Sequence, residues 1–220
     1  MISSIFITGT NTGVGKTVTS ALILSAALRS KRQVNYFKPL QTGYETDCHV
    51  IKEMTGLSKN LIKYPVYSLK LPASPYQAAL AEQCHIDPTI ILNHWLTICD
   101  SATIVEGVGG LLVPISKNFL LRDLIKLLNL RIVIVANTIV GTINHTLLTI
   151  EAALSANLNI IGIVLLGNNN YPWLTETLKQ FTQIPIIAEV PWLESLQQQS
   201  IYNNSIKFFN ESLLKIFFDN

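Results

Sequence analysis

The 220-residue chain has little charge, few cysteines and no long hydrophobic run. Charged residues make up 14% of the chain and hydrophobic residues 49%. This balance excludes intrinsic disorder, which requires low hydrophobicity together with high charge. Apolar runs such as Ile132–Ala136 and Ile160–Leu166 are much shorter than the roughly 18–20 residues that a membrane-spanning helix needs. The sequence therefore predicts a folded protein that does not span a membrane.

The scarce cysteines indicate the redox environment of the protein, and the scattered basic residues indicate which classes of partner it lacks. Cys48, Cys84 and Cys99 form no CxxC pair, and such a sparse, odd set favours reduced thiols over a disulfide framework. The amino-terminal segment lacks the basic and long apolar stretches of a signal peptide, so we expect a cytoplasmic protein. The net charge is +2 without a polybasic tract. We therefore expect no nucleic acid and no membrane among its partners.

Short apolar runs alternate with longer amphipathic stretches along the chain. The pattern predicts strands at Ser4–Thr8, Val34–Phe37, Ala102–Glu106, Arg131–Ala136, Asn159–Leu166 and Pro185–Glu189. It predicts helices at Lys16–Ser30, Asp47–Met54, Pro88–Cys99, Leu121–Leu128, Ile143–Ala156, Trp173–Phe181 and Phe208–Phe218, with an irregular segment at Asn60–Pro75. Such alternation indicates βαβ units. We therefore expect a single α/β domain over residues 1–220, a three-layer sandwich with a mostly parallel central sheet flanked by helices.

The clearest motif is IFITGTNTGVGKT at Ile5–Thr17, between the first predicted strand and the first predicted helix. A glycine-rich turn that ends in Lys-Thr at a helix start is typical of a phosphate-binding loop, or P-loop. Its backbone N–H groups and the helix N-terminus attract phosphate, while Lys16 reaches the β- and γ-phosphates and Thr17 binds Mg²⁺. The spacing differs from the common form, because Thr10 stands where GxxxxGK[ST] has glycine. The motif predicts a P-loop NTPase-type fold that binds the phosphates of a nucleotide.

Three other positions fit a nucleotide site, each with an alternative. Glu106 ends an apolar strand, where P-loop enzymes carry the acid that holds the metal, and the alternative is an ordinary strand-end carboxylate. Lys38 ends the second predicted strand, where its charge would face an anionic intermediate, although an ordinary surface lysine fits the spacing equally well. Asp47 follows a threonine at a helix start, so helix capping and metal binding are equal alternatives. For His145, near another helix start, a structural role is favoured over catalysis.

Five segments spread over nearly the whole chain share the pattern of one enzyme family. They are Thr8–Thr17, Phe37–Gly43, Val105–Pro114, Gly141–Leu148 and Glu189–Leu193. Together they resemble the dethiobiotin synthetases. The resemblance implies an ATP-dependent cyclo-ligase of biotin biosynthesis that joins CO₂ to 7,8-diaminononanoate and releases dethiobiotin, ADP and phosphate. The implied route runs through a carbamate and a carbamic–phosphoric anhydride.

The resemblance also implies roles for individual residues. ATP would contact Gly13, Val14, Gly15, Lys16, Thr17, Val18, Asp47, Glu106, Gly107, Val108, Gly109, Pro191, Trp192 and Leu193. Mg²⁺ would lie among Thr17, Asp47 and Glu106, and the catalytic lysines would be Lys38 and Lys16. The substrate would contact Thr42 and, across the interface of a homodimer, Gly141, Thr142 and Asn144 of the partner subunit. The low charge of the chain agrees with a large subunit interface.

The position that recognises adenine differs from the family pattern. Leu166 and Gly167, followed by Asn168, stand where many relatives carry an Asn-containing pair that recognises adenine. We therefore expect side chains to recognise the base less strictly and the nucleotide preference to be looser than in those relatives.

Other P-loop classes fit the sequence less well. A partitioning-type ATPase, which acts as a molecular switch, carries a signature lysine five residues before the P-loop lysine, and Asn11 stands at that position. An amidoligase of the cobyrinate type would need a glutaminase domain, for which the chain leaves no room. A GTPase would carry an NKxD motif, which the sequence lacks. The switch ATPase is the main alternative to the synthetase.

Overall fold

The computed structural model describes residues 3–44, 46–168 and 171–219. Its strands are β1 Ile5–Gly9, β2 Asn35–Phe37, β3 Leu40–Thr42, β4 Ile62–Lys63, β5 Tyr67–Leu69, β6 Thr103–Gly110, β7 Pro114–Ser116, β8 Phe119–Leu120, β9 Arg131–Asn137, β10 Ile160–Leu166 and β11 Ile186–Val190. Its helices are α1 Lys16–Arg29, α2 Asp47–Thr55, α3 Pro75–Ala81, α4 Pro88–Leu96, α5 Leu121–Leu127, α6 Thr142–Ser155, α7 Leu174–Phe181, α8 Gln198–Phe208 and α9 Glu211–Phe218. None of the helices in these ranges is long and apolar enough to cross a membrane.

Seven of the described strands form one parallel sheet in the order β11-β10-β9-β1-β6-β2-β4. Successive side chains of a strand point to opposite faces, so Ile5 and Ile7 of β1 enter one core while Phe6 enters the other. Helices α1, α2, α8 and α9 cover the first face, and α3 to α7 cover the second. The predicted three-layer α/β fold is confirmed.

The register of the central strands determines which residues meet at the carboxyl edge of the sheet. In the β1–β6 pair Ile7 lies opposite Glu106, and in the β2–β6 pair Phe37 lies opposite Val105. Lys38 directly follows β2, so the register brings it next to Glu106. The same edge carries the end of β1, from which the P-loop leaves. A parallel sheet thus collects the predicted nucleotide-site residues at one edge.

The structure differs from the sequence-based expectation at several elements, and it adds β3, β7, β8, α3 and α8, which the sequence pattern did not indicate. The segment Asn60–Pro75 was expected to be irregular, but it contains β4, which forms one edge of the large sheet, and β5, which pairs with β3. The expected closing helix at Phe208–Phe218 corresponds to α9, which begins later, at Glu211, because the Asn210 side chain accepts the N–H of Leu213 and caps it. Strand β6 continues to Gly110, which pairs with β1, whereas the sequence indicated that it ends at Glu106.

Candidate active site

The P-loop joins β1 to α1 and ends at Gly15, the N-cap residue of α1. Gly15 has φ 101°, and a Cβ at this position would lie 2.9 Å from Leu166 Cδ1, so both the backbone and the space favour glycine. No side chain of the described residues caps α1, and its first turn carries no acidic residue. The N–H groups at the start of the helix are therefore left to bind an anion.

Lys16 folds back over the P-loop. Its Nζ donates to the carbonyl of Asn11 at 3.0 Å, and the residue is 8% exposed. Burial, followed by the nearby positive charge of Lys38, lowers the pKa of Lys16 to about 8. The charges of Glu106 and Asp47 raise this pKa but do not outweigh the two lowering effects, and a phosphate group beside the ammonium would raise it further.

Two carboxylates and two side-chain donors meet beside the P-loop. Lys38 Nζ lies 2.6 Å from Asp47 Oδ2 and 3.1 Å from Glu106 Oε1. Thr17 Oγ1 donates to Asp47 Oδ1 at 3.2 Å and to Glu106 Oε1 at 2.9 Å, so its one proton is shared between the two carboxylates. Lys38 is 4% exposed and Glu106 is 1% exposed, so this cluster is screened little by water. Lys38 is therefore not the solvated surface lysine that its sequence spacing left possible.

Opposing effects act on the Lys38 ammonium. Burial lowers the pKa of Lys38, but the charges of Glu106 and Asp47 and the hydrogen bonds to them outweigh burial and raise it overall. The ammonium also donates to the Gly107 carbonyl at 3.0 Å. Lys38 thus stays positively charged at neutral pH and offsets part of the negative charge of the two carboxylates.

Asp47 is the first residue of α2, and Thr46 occupies the N-cap position. The carboxylate of Asp47 contacts Thr17 and Lys38, so the structure favours the site role of Asp47 over its alternative role as a helix cap. The backbone N–H of Asp47 donates to Gln41 Oε1 at 3.3 Å, and Gln41 Nε2 donates to the Thr42 carbonyl at 3.0 Å. Gln41 therefore links the start of α2 to the end of β3.

Sequence reasoning missed two residues that contact Glu106. Ser20 Oγ donates to Glu106 Oε2 at 2.8 Å, and the Tyr36 hydroxyl donates to the same oxygen at 3.1 Å. Burial, together with the charge of Glu106, raises the pKa of Tyr36 well above its ordinary value. Ser20 lies one helical turn beyond Thr17 on the same face of α1, and that spacing is the one sequence signal that points to it.

The remaining predicted residues lie in other parts of the structure. Gly141, Thr142 and Asn144 mark the start of α6, and within the described residues no hydrogen bond or ion pair joins them to Lys38 or Glu106. Strand β11 leads into Pro191–Leu193, where the Trp192 N–H donates to Asn168 Oδ1 at 3.3 Å. Trp192 is 65% exposed, so its indole is accessible to a ligand.

The oxygen atoms of Thr17, Asp47 and Glu106 fit a magnesium ion. Carboxylate and hydroxyl oxygens are hard ligands of the kind that Mg²⁺ takes beside nucleotide phosphates. The two carboxylates share Thr17 Oγ1 as a hydrogen-bond donor, so all three groups face one small volume.

The P-loop geometry agrees with comparisons to known proteins. A family model described as an AAA domain matches residues 3–200. Among solved structures, the cell-division ATPase MinD of Pyrococcus furiosus has a TM-score of 0.62 at 13% identity, covering 98% of this chain and 95% of that chain. A ParA-family ATPase of Chlorobium tepidum has a TM-score of 0.59 at 12% identity, covering 98% and 96%. At these identities the likeness supports the fold alone.

Curated relatives identify the family. The ATP-dependent dethiobiotin synthetase of Bacillus velezensis is 33% identical over 210 residues, covering 90% of this chain and 90% of its own. The synthetase of the same name from Agrobacterium fabrum is 34% identical, with 93% of each chain covered. These matches cover nine-tenths or more of both chains. The chain therefore belongs to the dethiobiotin synthetase family.

Proposed function

We propose that this protein catalyses the ATP-dependent joining of CO₂ to 7,8-diaminononanoate, followed by ring closure to dethiobiotin with release of ADP and phosphate. One observation carries the proposal beyond family membership. Lys16 and Lys38 lie beside the carboxylates of Asp47 and Glu106 at the end of the P-loop. A reaction that brings a γ-phosphoryl group to an anionic carbamate needs positive charge at that place.

In this proposal ATP lies along the P-loop. Its phosphates would take the backbone N–H groups of Gly13–Val18 and the Lys16 ammonium, with Glu106–Gly109 lining the opposite side. The base would lie against Pro191–Leu193. Support for this last position comes from the exposed indole of Trp192 and from the hydrogen bond that fixes its backbone to Asn168.

Mg²⁺ would be held by Thr17, Asp47 and Glu106. When bound, the ion would supply positive charge to the phosphate oxygens. The protein residues contribute the fixed arrangement, because Thr17 extends from α1, Asp47 from α2 and Glu106 from β6. Three separate elements of the fold would thus contribute ligands to one ion.

The chemical steps follow from the substrates. An amine nitrogen of the substrate bonds to the carbon of CO₂ and loses a proton, which gives a carbamate. A carbamate oxygen attacks the γ-phosphorus, the bond to the bridging oxygen of ADP breaks, and a carbamic–phosphoric anhydride forms. The second amine attacks the carbonyl carbon, loses a proton and expels phosphate. Lys38 and Lys16 would reduce the repulsion between the two anions, so catalysis would rest on positioning and electrostatics.

The substrate would contact Thr42 in one subunit and Gly141, Thr142 and Asn144 of the partner subunit in a homodimer. Three observations support this arrangement. The start of α6 offers backbone N–H groups to a carboxylate. Val140, just before it, is 79% exposed, and nearby Ile139 is 57% exposed. Exposed apolar side chains of this kind mark subunit interfaces. We place the protein in the cytoplasm, where its substrates would be made.

A single-pot assay tests the proposed function. The protein is mixed with 7,8-diaminononanoate, bicarbonate, Mg²⁺ and ATP, and dethiobiotin is measured by mass spectrometry against a Lys16→Ala control. Product from the wild type alone supports the proposal. Absence of product, together with ATP hydrolysis that is stimulated by DNA or lipid, would overturn it in favour of the switch ATPase.

A further inference from the structure

The two oxygens of the Glu106 carboxylate have different partners. Oε1 faces the P-loop, where it accepts from Thr17 at 2.9 Å and from Lys38 at 3.1 Å. Oε2 faces the protein interior, where it accepts from Ser20 at 2.8 Å and from Tyr36 at 3.1 Å. We propose that Ser20 and Tyr36 are positioning residues that fix Oε2 and thereby direct Oε1 towards the cation and nucleotide. The inference rests on the proposed function, because it assigns Glu106 to the Mg²⁺–ATP site.

Ser20 is suited to this task by its place on α1. It is 0% exposed, and a buried hydroxyl is costly unless it has a partner. Thr17 lies one turn earlier on the same face of α1. The two hydroxyls therefore each donate to a different oxygen of the Glu106 carboxylate. The rotation of α1 is thereby linked to the orientation of Glu106.

Tyr36 approaches the carboxylate from the sheet. Side chains alternate along β2, so Tyr36 points into the core under α1 while Phe37 points into the core on the other face. The phenol ring is completely buried, and its hydroxyl reaches Glu106 on the neighbouring strand β6. A rigid ring on a strand allows its terminal oxygen little freedom, so it restrains Oε2 more firmly than a longer flexible side chain would.

The two hydroxyls matter because a carboxylate that is held at one oxygen only can rotate. With Oε2 fixed by two donors, the carboxylate plane is set and Oε1 is presented in one direction. Residues that orient a metal ligand through hydrogen bonds typically change metal affinity by about 10–100-fold when they are removed. The same size of effect is expected here, because both donors bond directly to Glu106.

The test measures Mn²⁺ binding in the presence of ADP by electron paramagnetic resonance, so that no turnover is required. Tyr36→Phe and Ser20→Ala should each raise the dissociation constant for Mn²⁺ by about tenfold, and the double variant should raise it further. Glu106→Gln shows whether Glu106 is itself a ligand of the Mn²⁺ ion. If Glu106→Gln weakens Mn²⁺ binding while the two hydroxyl variants bind Mn²⁺ as tightly as the wild type, the positioning role is refuted.

A control separates positioning from a general loss of stability. Phe37→Leu alters a completely buried side chain next to Tyr36 but on the opposite face, where Phe37 packs against His94. It should lower the thermal stability and leave the Mn²⁺ affinity unchanged. If Phe37→Leu weakens Mn²⁺ binding as much as Tyr36→Phe does, the effect is structural and the inference fails. The dethiobiotin assay is independent of Mn²⁺ binding. If the wild type lacks synthetase activity while the variants show the expected changes in Mn²⁺ affinity, the proposed function alone is contradicted.

Discussion

Replacing Lys38 with methionine should destabilise the ligand-free protein far more than removing a surface lysine does. The ammonium lies 2.6 Å from Asp47 and 3.1 Å from Glu106. Removal of one partner from a buried ion pair costs about 3–5 kcal/mol, because the remaining charge stays buried. Since the side chain of Asp47 is 26% exposed, we expect the lower end, about 3 kcal/mol. For a chain of this size that corresponds to a melting temperature lower by about 6–12 °C.

The measurement is urea unfolding followed by circular dichroism, with Lys179→Met as the matched control. Lys179 pairs with Glu176 at 2.9 Å on the surface, and exposed pairs contribute at most about 1 kcal/mol. Adding Mg²⁺ should stabilise Lys38→Met more than the wild type, because the ion supplies charge to the carboxylates that have lost their ammonium.

A double variant tests the reasoning further. Lys38→Met combined with Glu106→Gln removes one of the two carboxylate charges that Lys38 contacted, so it should be more stable than Lys38→Met alone. The reasoning would be refuted if Lys38→Met unfolds at the same urea concentration as the wild type. It would also be refuted if the double variant is less stable than the single variant.

Three further predictions concern the P-loop and the subunit interface. Because the pKa of Lys16 is about 8 and bound phosphate would raise it, ATP affinity should fall by up to about tenfold per pH unit above pH 8. Calorimetry of ATP binding to the wild type and to Lys16→Met at several pH values checks this. The prediction would be contradicted if the ATP affinity of both proteins fell equally with pH. Gly15→Ala should weaken ATP binding more than Gly13→Ala does, because φ at Gly15 is +101° and its Cβ would lie 2.9 Å from Leu166, whereas Gly13→Ala, with φ +74° and no atom within 4 Å of its Cβ, should add only about 1–2 kcal/mol of backbone strain. Val140→Asp should convert a dimer to monomers in light scattering without loss of helix content, since Val140 is 79% exposed; a monomeric wild type would contradict the interface.

The central strands could be predicted from the sequence because strands buried on both faces are continuous apolar runs. The predicted Arg131–Ala136 corresponds to β9 at Arg131–Asn137. The short edge elements could not be predicted in this way. Strand β4 has two residues and β5 has three, too few for a period to be visible. Their position depends on pairing with distant strands.

In the candidate site, too, some residues could be predicted from the sequence and others could not. Lys38 and Glu106 could be selected because each lies at the end of a predicted apolar strand, and parallel strands end at one edge of the sheet. Ser20 and Tyr36 look like ordinary residues of a buried helix and a buried strand. Their role depends on the register that places β2 beside β6 and on the rotation of α1. Both depend on the tertiary structure, which a local sequence pattern does not indicate.

The charges of the site bear on how its ligands bind. In the ligand-free protein two lysines, Lys16 and Lys38, face two carboxylates, Asp47 and Glu106, and the charges balance. A triphosphate alone would add uncompensated negative charge beside the carboxylates, and Mg²⁺ alone would compete with the Lys38 ammonium for them. Together the two ligands largely cancel each other's charge, so Mg²⁺ and ATP should each raise the affinity of the other by the same factor. An ATP affinity that is the same with and without Mg²⁺ would contradict the assignment of Thr17, Asp47 and Glu106 to the cation.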